Sequence, residues 1–165
     1  MAFDIITVTP DLSTSAYADG KVLFESKAIK LPHRKCKLIS LNAIWDDTDA
    51  ADLEIIVMFF KENTYPIGTV QSGDPSITGD QINSNVSLGF SRLVNDADAE
   101  VALGTPSLLV GQHINDPASS TANFAPIVLA EGSTKNTCYM QGFLEVGASA
   151  THGASSLVIT LGVEY

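Results

Sequence analysis

The residues best suited to bind a metal ion lie in one short acidic stretch. Hard cations such as Ca²⁺ need several oxygen ligands close together, and four aspartates occur within a few residues: Asp46, Asp47, Asp49 and Asp52. The stretch lacks the central glycine and the closing glutamate of an EF-hand loop. Because a solvated turn between two strands accounts for the same residues, we predict no metal site and keep these aspartates only as weak candidates.

Residues that could act as catalytic acids, bases or nucleophiles form no recognisable motif. His33, His113 and His152 are far apart in the sequence, and each lies near a predicted strand end or loop. No serine stands in a Gly-x-Ser-x-Gly elbow, and no glycine-rich motif of the phosphate-binding type occurs. We therefore expect a protein that is not an enzyme and needs no cofactor. Cys36 and Cys138 match no metal-binding or redox spacing, so we expect two buried, reduced thiols.

The positive charge is concentrated near the N-terminus of an acidic chain. The formal net charge is −10, yet residues 1–37 hold six Lys and Arg against four acids, which gives +2. Residues 38–165 hold three against fifteen, which gives −12. Such a division favours one surface that binds an acidic partner while the rest of the chain stays solvated.

Five residues of this basic segment are our candidates for contact with such a partner: Lys27, Lys30, Arg34, Lys35 and Lys37. A nucleic-acid partner is disfavoured, because the pI is about 4.4 and no Phe, Trp or Tyr interrupts Lys27–Lys37. A salt-sensitive protein contact is the preferred interpretation. The alternative is an edge strand whose lysines prevent unwanted strand pairing.

The elements that position these residues are predicted to be β-strands. Nine short segments are rich in β-branched or aromatic residues and are bounded by Gly, Pro, Asn, Asp or Ser. They are Phe3–Thr9, Val22–Leu31, Lys37–Trp45, Leu53–Lys61, Asn85–Phe90, Ser107–His113, Phe124–Ala130, Thr137–Val146 and Ser156–Glu164. This number of strands in 165 residues predicts an all-β, antiparallel sandwich or barrel, formed as one domain over residues 1–165.

One strand is apolar on both faces. In Leu53–Phe60, alternate residues on either side are hydrophobic, so both faces need cover. A second sheet or a loop of the same chain would provide it, but we expect a subunit interface and assign Ile56, Met58 and Phe60 to it. The low charged fraction, 17%, fits either a partner-covered surface or a large β core.

The remaining segments are predicted to be one short helix and two long loops. The run Asn95–Leu103 has a capping Asn, acids in its first turn, and Gly104 with Pro106 as a stop. The loops are Glu62–Ser84 and Gln112–Asn123. No apolar run reaches the roughly 18 residues of a membrane span, and the N-terminus lacks a signal-peptide pattern, so we expect no membrane partner.

Several passages of the chain resemble small structural proteins of tailed bacteriophages. They are DLSTSAYADGKVLFE at 11–25, LISLNAIWDDTDAADLEIIVMFF at 38–60, NVSLGF at 85–90, and the closing STKNTCYMQGFLEVG and SSLVITLGVEY. The most specific part is the turn at 15–20 leading into Val22-Leu23-Phe24. In these passages and their order the chain is similar to capsid decoration, or cement, proteins.

The resemblance implies a β-sandwich, of the jelly-roll type, that sits as a homotrimer on the outer face of a phage head. The implied partner is the major capsid protein, and the implied location is the exterior of a virion assembled in the bacterial cytoplasm. Bridging of neighbouring coat subunits would then stabilise the lattice.

Two other functions remain open from the sequence. A carbohydrate-binding adhesin or fibre module would use aromatic residues such as Tyr65 and Trp45 to stack on sugar rings. A minor head or coat subunit is the nearer alternative, although 165 residues is short for a shell protein of a tailed phage.

Overall fold

The computed structural model describes residues 1–14, 17, 20–45, 54–65, 67–70, 79–94, 107–112, 127–146 and 157–165. Within these residues the chain forms nine strands and one helix. In chain order they are β1 (Phe3–Val8), β2 (Val22–Lys30), β3 (Lys35–Trp45), β4 (Glu54–Phe60), α1 (Gly79–Asn85), β5 (Ser87–Val94), β6 (Ser107–Gln112), β7 (Val128–Ala130), β8 (Thr137–Val146) and β9 (Leu157–Glu164).

Alternating hydrophobicity decides which side of each strand is buried. In β9 the side chains of Leu157, Ile159, Leu161 and Val163 are buried, and the residues between them are half-buried. Because successive side chains of a strand point to opposite faces, this pattern places one face of β9 in the core. The first part of β3 alternates in the same way, and its phase shifts at a bulge between Leu38 and Ser40.

The strands pair as a nested antiparallel set. β1 pairs with β9, β2 with β8, β3 with β6, and β4 with β5. Pairing of β9 with β3 and of β4 with β8 joins them into two four-stranded sheets, β1-β9-β3-β6 and β5-β4-β8-β2. This is the strand order of a jelly roll. The predicted antiparallel β-sandwich is confirmed, in the jelly-roll form that the resemblance implied.

Two further pairings complete the sheets. β7 lies beside the start of β3, where Lys35 and Lys37 pair with Ala130 and Val128. β6 pairs with β3 through residues 107–110 and with β5 through residues 110–112, so it connects the two sheets along one side.

The core lies between the sheets and draws on both of them. One buried cluster contains Trp45 of β3, Leu161 of β9, Phe59 of β4 and Phe24 of β2. Trp45, Phe24 and Phe59 are among its largest fully buried side chains. Burial of each such side chain contributes about 1.5 to 3 kcal/mol. Cys36 and Cys138 belong to the same cluster and are free thiols.

The helix that the structure describes lies in a segment predicted to be a loop. α1 lies at Gly79–Asn85, so the prediction of a loop throughout Glu62–Ser84 was wrong for residues 79–84. The helix has only seven residues and no apolar periodicity, so the sequence offers little signal for it. The predicted helix at 95–103 lies outside the described residues, as do residues 113–123 of the second predicted loop. No helix of the described chain is long and apolar enough to cross a membrane.

Candidate functional sites

The structure distributes the predicted basic residues over one strand edge and one end of the sandwich. Lys27 and Lys30 lie on β2, which is the last strand of its sheet. Arg34 lies in the turn between β2 and β3, and Lys35 and Lys37 follow on β3. Because β2 and β3 belong to different sheets, this turn crosses from one sheet to the other at a single end of the molecule.

Most of these cations already have a partner within the chain. Lys27 forms an ion pair with Asp11, and Arg34 forms one with Glu131. Lys37 Nζ lies 3.6 Å from Glu164 Oε2, and Lys30 donates a hydrogen bond to the carbonyl oxygen of Lys135 at 3.1 Å. The Arg34 side chain nevertheless remains 76% exposed. Because the guanidinium side of the Arg34 pair faces solvent and surface ion pairs are weak, Arg34 can share its partner with a second carboxylate.

A cleft gathers His33, Arg34 and Lys35 from around the β2–β3 turn with one more lysine from elsewhere in the chain. His33, Arg34 and Lys35 line it together with Lys61, Ala130, Glu131 and Gly132, and its volume is about 560 Å³. We call this the basic cleft. Lys61 follows β4 and was not in the predicted set. Only the fold brings it to the β2–β3 turn, so no local pattern could have identified it.

Glu131 lines the basic cleft and is held in place by hydrogen bonds. Its Oε2 accepts a hydrogen bond from the Asn136 backbone N–H at 2.7 Å, and its Oε1 accepts one from Arg34 Nε. These two bonds, the backbone one first, hold the pKa of the Glu131 carboxyl below its usual value. The Glu131 backbone N–H also donates to the Arg34 carbonyl oxygen at 2.9 Å. The β7–β8 turn is therefore tied to the β2–β3 turn by both main chain and side chain.

Gly132 allows two loops to approach closely beside this cleft. A Cβ atom at this position would lie 2.2 Å from the Lys61 carbonyl oxygen and 2.6 Å from the Glu62 carboxylate. Glu62 accepts hydrogen bonds from the Ser133 backbone N–H at 2.6 Å and the Ser133 hydroxyl at 2.8 Å. Only glycine fits between these atoms, so the position of Lys61 in the cleft depends on Gly132.

The three predicted subunit contacts differ in exposure. Phe60 is 2% exposed and packs in a small cluster with Val22, Ile67 and Phe143 on the outer face of β4 and β8. Ile56 and Met58 are half-buried against that cluster. Cover for Phe60 thus comes from the same chain, the alternative that the sequence left open. Subunit contact through Ile56 and Met58 stays a prediction.

More exposed apolar surface occurs on the other sheet. Phe3 is 63% exposed and Ile5 is 70% exposed, both on the edge strand β1. Phe3 pairs with Glu164, Glu164 with Lys37, and Lys37 with Val128, so one cross-strand row combines apolar and charged side chains. No sequence pattern indicated that the outer face of β1, in addition to that of β4, would carry exposed apolar residues.

The two aromatic residues considered for sugar stacking differ in their exposure to solvent. Trp45 is 0% exposed in the core, so its predicted use as a stacking platform was wrong. Tyr65 is 50% exposed and lines a second cleft of about 310 Å³ with Asp80, Gln81 and Ser84. We call this the Tyr65 cleft.

The weak metal candidates Asp46, Asp47, Asp49 and Asp52 lie outside the described residues. Among the residues that the structure does describe, no group of three or more His, Cys, Asp or Glu side chains is placed to hold a metal ion.

Comparisons with known proteins identify no family. No protein-family model matches the chain, and curated protein sequences give no match. Among solved structures the chain is similar to one titled Desmodium yellow mottle tymovirus, with 12% identical residues and a TM-score of 0.31. The match covers 98% of this chain and 79% of the other. At this score the likeness carries no argument about function.

Proposed function

We propose that this chain is a structural protein of a tailed-phage virion that binds the outer surface of the capsid and stabilises the coat lattice. The basic cleft is the observation that carries the proposal. An acidic chain of net charge −10 places His33, Arg34, Lys35 and Lys61 around one cleft at one end of a rigid sandwich. The jelly-roll fold and the sequence resemblance support the same role.

The basic cleft would bind acidic side chains of the major capsid protein. Arg34 and Lys35 are exposed, and the Arg34 side chain stays accessible although it is paired with Glu131. An incoming carboxylate can therefore replace or share that partner with little loss. Complementary charge of this kind raises the association rate and fixes orientation more than it raises affinity. The acidic remainder of the chain would keep neighbouring copies from binding one another at random.

Assembly as a homotrimer would strengthen weak contacts. Three basic clefts in one symmetric particle bind together, and the effective concentration after the first contact raises occupancy without any strong single contact. Ile56 and Met58 on β4 are proposed subunit contacts, and Phe3 and Ile5 on β1 offer a further apolar surface for subunits or coat.

Charge reversal tests the capsid contact. Co-sedimentation with purified capsids, measured as copies bound per capsid at several salt concentrations, should show a large loss of binding for the double variant Arg34→Glu/Lys35→Glu. The matched control compares Arg34→Glu alone with Lys21→Glu, which makes the same change in net charge at a lysine outside the basic cleft and outside the five candidate contacts. Equal loss in these two single variants would show that only overall charge matters. Unchanged binding of the double variant would contradict the proposal.

A minor head or coat subunit is the second candidate, and the jelly-roll fold favours it, because this fold also forms viral shells. The copy number of the chain in purified virions, by quantitative mass spectrometry, separates the candidates. A simple ratio to the major capsid protein supports decoration, whereas a few copies per particle indicates a minor head, tail or fibre component. Assembly of the isolated chain into shells would favour a coat subunit.

A further inference from the structure

The Tyr65 cleft combines an exposed aromatic ring with three different polar groups. Tyr65 is 50% exposed, and Asp80, Gln81 and Ser84 complete the lining. The cleft offers a ring face, a carboxylate, an amide and a hydroxyl within about 310 Å³. That volume is at the small end of ligand-binding sites, which generally join an apolar wall to a few polar groups.

The polar lining comes from one face of α1. Asp80 and Ser84 are four residues apart, and Gln81 and Ser84 are three apart, so all three side chains share a side of the helix. Asp80 is the only acid in the first turn, and no basic residue follows in the last turn. Among the lining residues that the structure describes, Asp80 therefore contributes a negative charge and none is a cation.

A buried asparagine joins the two walls of the cleft. Asn85 ends α1 and is 2% exposed. Its Oδ1 accepts a hydrogen bond from the Tyr65 backbone N–H at 3.0 Å, and its Nδ2 donates one to the Tyr65 carbonyl oxygen at 2.6 Å. Both bonds go to the main chain of Tyr65, so its ring is held beside α1 without using its own hydroxyl.

Three further hydrogen bonds fix this arrangement to the sandwich. The backbone N–H groups of Glu62 and Lys61 donate to the carbonyl oxygens of Asn85 and Val86, at 2.9 and 3.0 Å. Beyond Tyr65, the Ile67 carbonyl oxygen accepts a bond from buried Gln141 Nε2 at 2.5 Å. A site fixed in this way loses little conformational entropy when a ligand binds.

The chemistry of the lining selects one class of ligand. A sugar ring presents an apolar C–H face and a rim of hydroxyl groups. The face can pack on the Tyr65 ring, and adjacent hydroxyls can donate to the Asp80 carboxylate in charge-assisted hydrogen bonds. Gln81 and Ser84 can both donate and accept. Phosphates, nucleic acids and acidic sugars are disfavoured, because Asp80 would repel them and the described part of the lining provides no cation.

We propose that the Tyr65 cleft binds a neutral saccharide of one or two hexose units. This site is separate from the capsid contact and does not depend on it. Because the cleft is small and has one aromatic wall, we expect a dissociation constant of about a millimolar for one copy. On a particle that displays many copies, such weak sites would act together.

Saturation-transfer NMR on the isolated full-length chain tests the site. The probes are the methyl glycosides of glucose, galactose, mannose and N-acetylglucosamine, each at millimolar concentration. Sialyllactose is the acidic probe and lactose its neutral counterpart, so that the difference between the two reports the effect of the sialic acid. We expect transfer to the ring protons of at least one neutral glycoside and at least a tenfold loss of affinity in Tyr65→Ala. Tyr165→Ala is the matched control, because Tyr165 is 43% exposed at the C-terminus and is not among the residues that line the Tyr65 cleft.

A second variant keeps the test decisive if Tyr65→Ala does not fold. Asp80→Asn removes the carboxylate charge and preserves the shape, so it should weaken the neutral glycoside and reduce the exclusion of sialyllactose. Absence of transfer to every neutral glycoside would overturn the proposal. So would preferential binding of sialyllactose, or binding that Tyr165→Ala weakens as much as the Tyr65 and Asp80 variants.

Discussion

The two faces of β4 are both covered, but by different parts of the chain. On the inner face, Ile55, Val57 and Phe59 are 0% exposed and belong to the main core between the sheets. On the outer face, Phe60 is buried under Ile67, while Ile56 and Met58 stay half-buried. A strand that is apolar on both sides therefore does not by itself require a second subunit.

The difference lies in what holds each cover in place. The inner face is closed by an opposing sheet, with many apolar neighbours. The outer face is closed by Ile67, which lies in the segment that follows β4; we call residues 61–65 and 67–70 the cover segment. Its fixed points are polar: Asn85 binds the Tyr65 main chain, and Gln141 binds the Ile67 carbonyl oxygen. We expect the inner face to determine global stability and the outer cover to open locally.

The largest effect should come from Phe59→Ala on the inner face. Removal of a fully buried ring leaves a cavity that the two sheets cannot close, and we expect a loss of about 3 to 5 kcal/mol in the free energy of unfolding. Urea denaturation followed by circular dichroism measures it. Phe90→Ala is the matched control, because Phe90 is 57% exposed and pairs with Met58 on the outer face.

The Phe90→Ala control also tests whether a second subunit covers the outer face of β4. Phe90→Ala should change stability by less than about 0.5 kcal/mol if its ring faces solvent. A large, concentration-dependent loss in that variant would show instead that a second subunit covers the outer face.

The inner face should also respond to alkaline pH. Burial first, and the nearby Cys36 second, raise the pKa of the Cys138 thiol to about 12. In the unfolded chain this thiol ionises near pH 8.5. The folded state then binds more protons than the unfolded state above that pH, so stability is complete below it and falls as pH rises toward 12. The slope should approach about 1.4 kcal/mol per pH unit.

Thermal unfolding between pH 8 and 11 measures this dependence. Cys138→Ala should be less stable at pH 8 but should lose less stability as pH rises. A residual slope is expected, because burial also raises the pKa values of Cys36 and Tyr17. If stability falls with pH equally steeply in the unmodified chain and in Cys138→Ala, water must reach the Cys138 thiol in the folded state.

Alternating hydrophobicity made most of the fold predictable. β8 and β9 each present one continuous apolar face, and such a pattern has only one reasonable orientation against a core. The predicted bounds of both strands match the structure within a residue. α1 could not be predicted, because its seven residues include a single apolar side chain, Ile82, and the hydrogen bonds of Asn85 go to Tyr65, which is distant in the sequence.

The candidate sites were predictable only where they are local in sequence. Arg34 and Lys35 were identified because they are adjacent within the basic segment. Lys61 and Glu131 enter the same cleft from other elements, and nothing in their own neighbourhoods marks them. Tyr65 was identifiable as a loop aromatic, but its lining partners follow it by fifteen residues or more, so their meeting depends on the Asn85 contact.

A smaller loss is expected when the outer cover is loosened by Ile67→Ala. Ile67 is 2% exposed among Val22, Phe60 and Phe143. Truncation of a core isoleucine to alanine costs about 2 to 5 kcal/mol, but a loop can shift or detach, so we expect a loss of stability near the lower value. Hydrogen exchange should accelerate in the cover segment and leave β9 amides unchanged. A loss of stability as large as that of Phe59→Ala, with hydrogen exchange accelerated in all strands, would contradict this. It would show that the inner face and the outer cover unfold as one cooperative unit.

The smallest effect should come from the backbone at the base of the cover segment. Val86 joins α1 to β5 with a φ of 54°, a left-handed conformation that a β-branched residue rarely adopts. Its side chain is 44% exposed, so it contributes little packing. Its carbonyl oxygen accepts from the Lys61 N–H at 3.0 Å, and its N–H donates to Asn83 at 3.3 Å; both bonds survive a side-chain change. Val86→Asn should therefore stabilise the chain by about 0.5 to 1 kcal/mol.

The reverse substitution at a matched position tests this reasoning. Asn136 has a φ of 51° and already carries the residue type that tolerates it. Asn136→Val keeps its backbone bonds to Glu131 and Leu31 while adding a β-branched side chain, so it should destabilise the chain. Opposite signs in thermal melts of the two variants would show that the backbone conformation is responsible. If Val86→Asn lowered the melting temperature, packing by the Val86 side chain would have to help hold the cover segment in place. The covers on the two faces of β4 would then both depend on apolar packing, and not on polar contacts for the outer face alone.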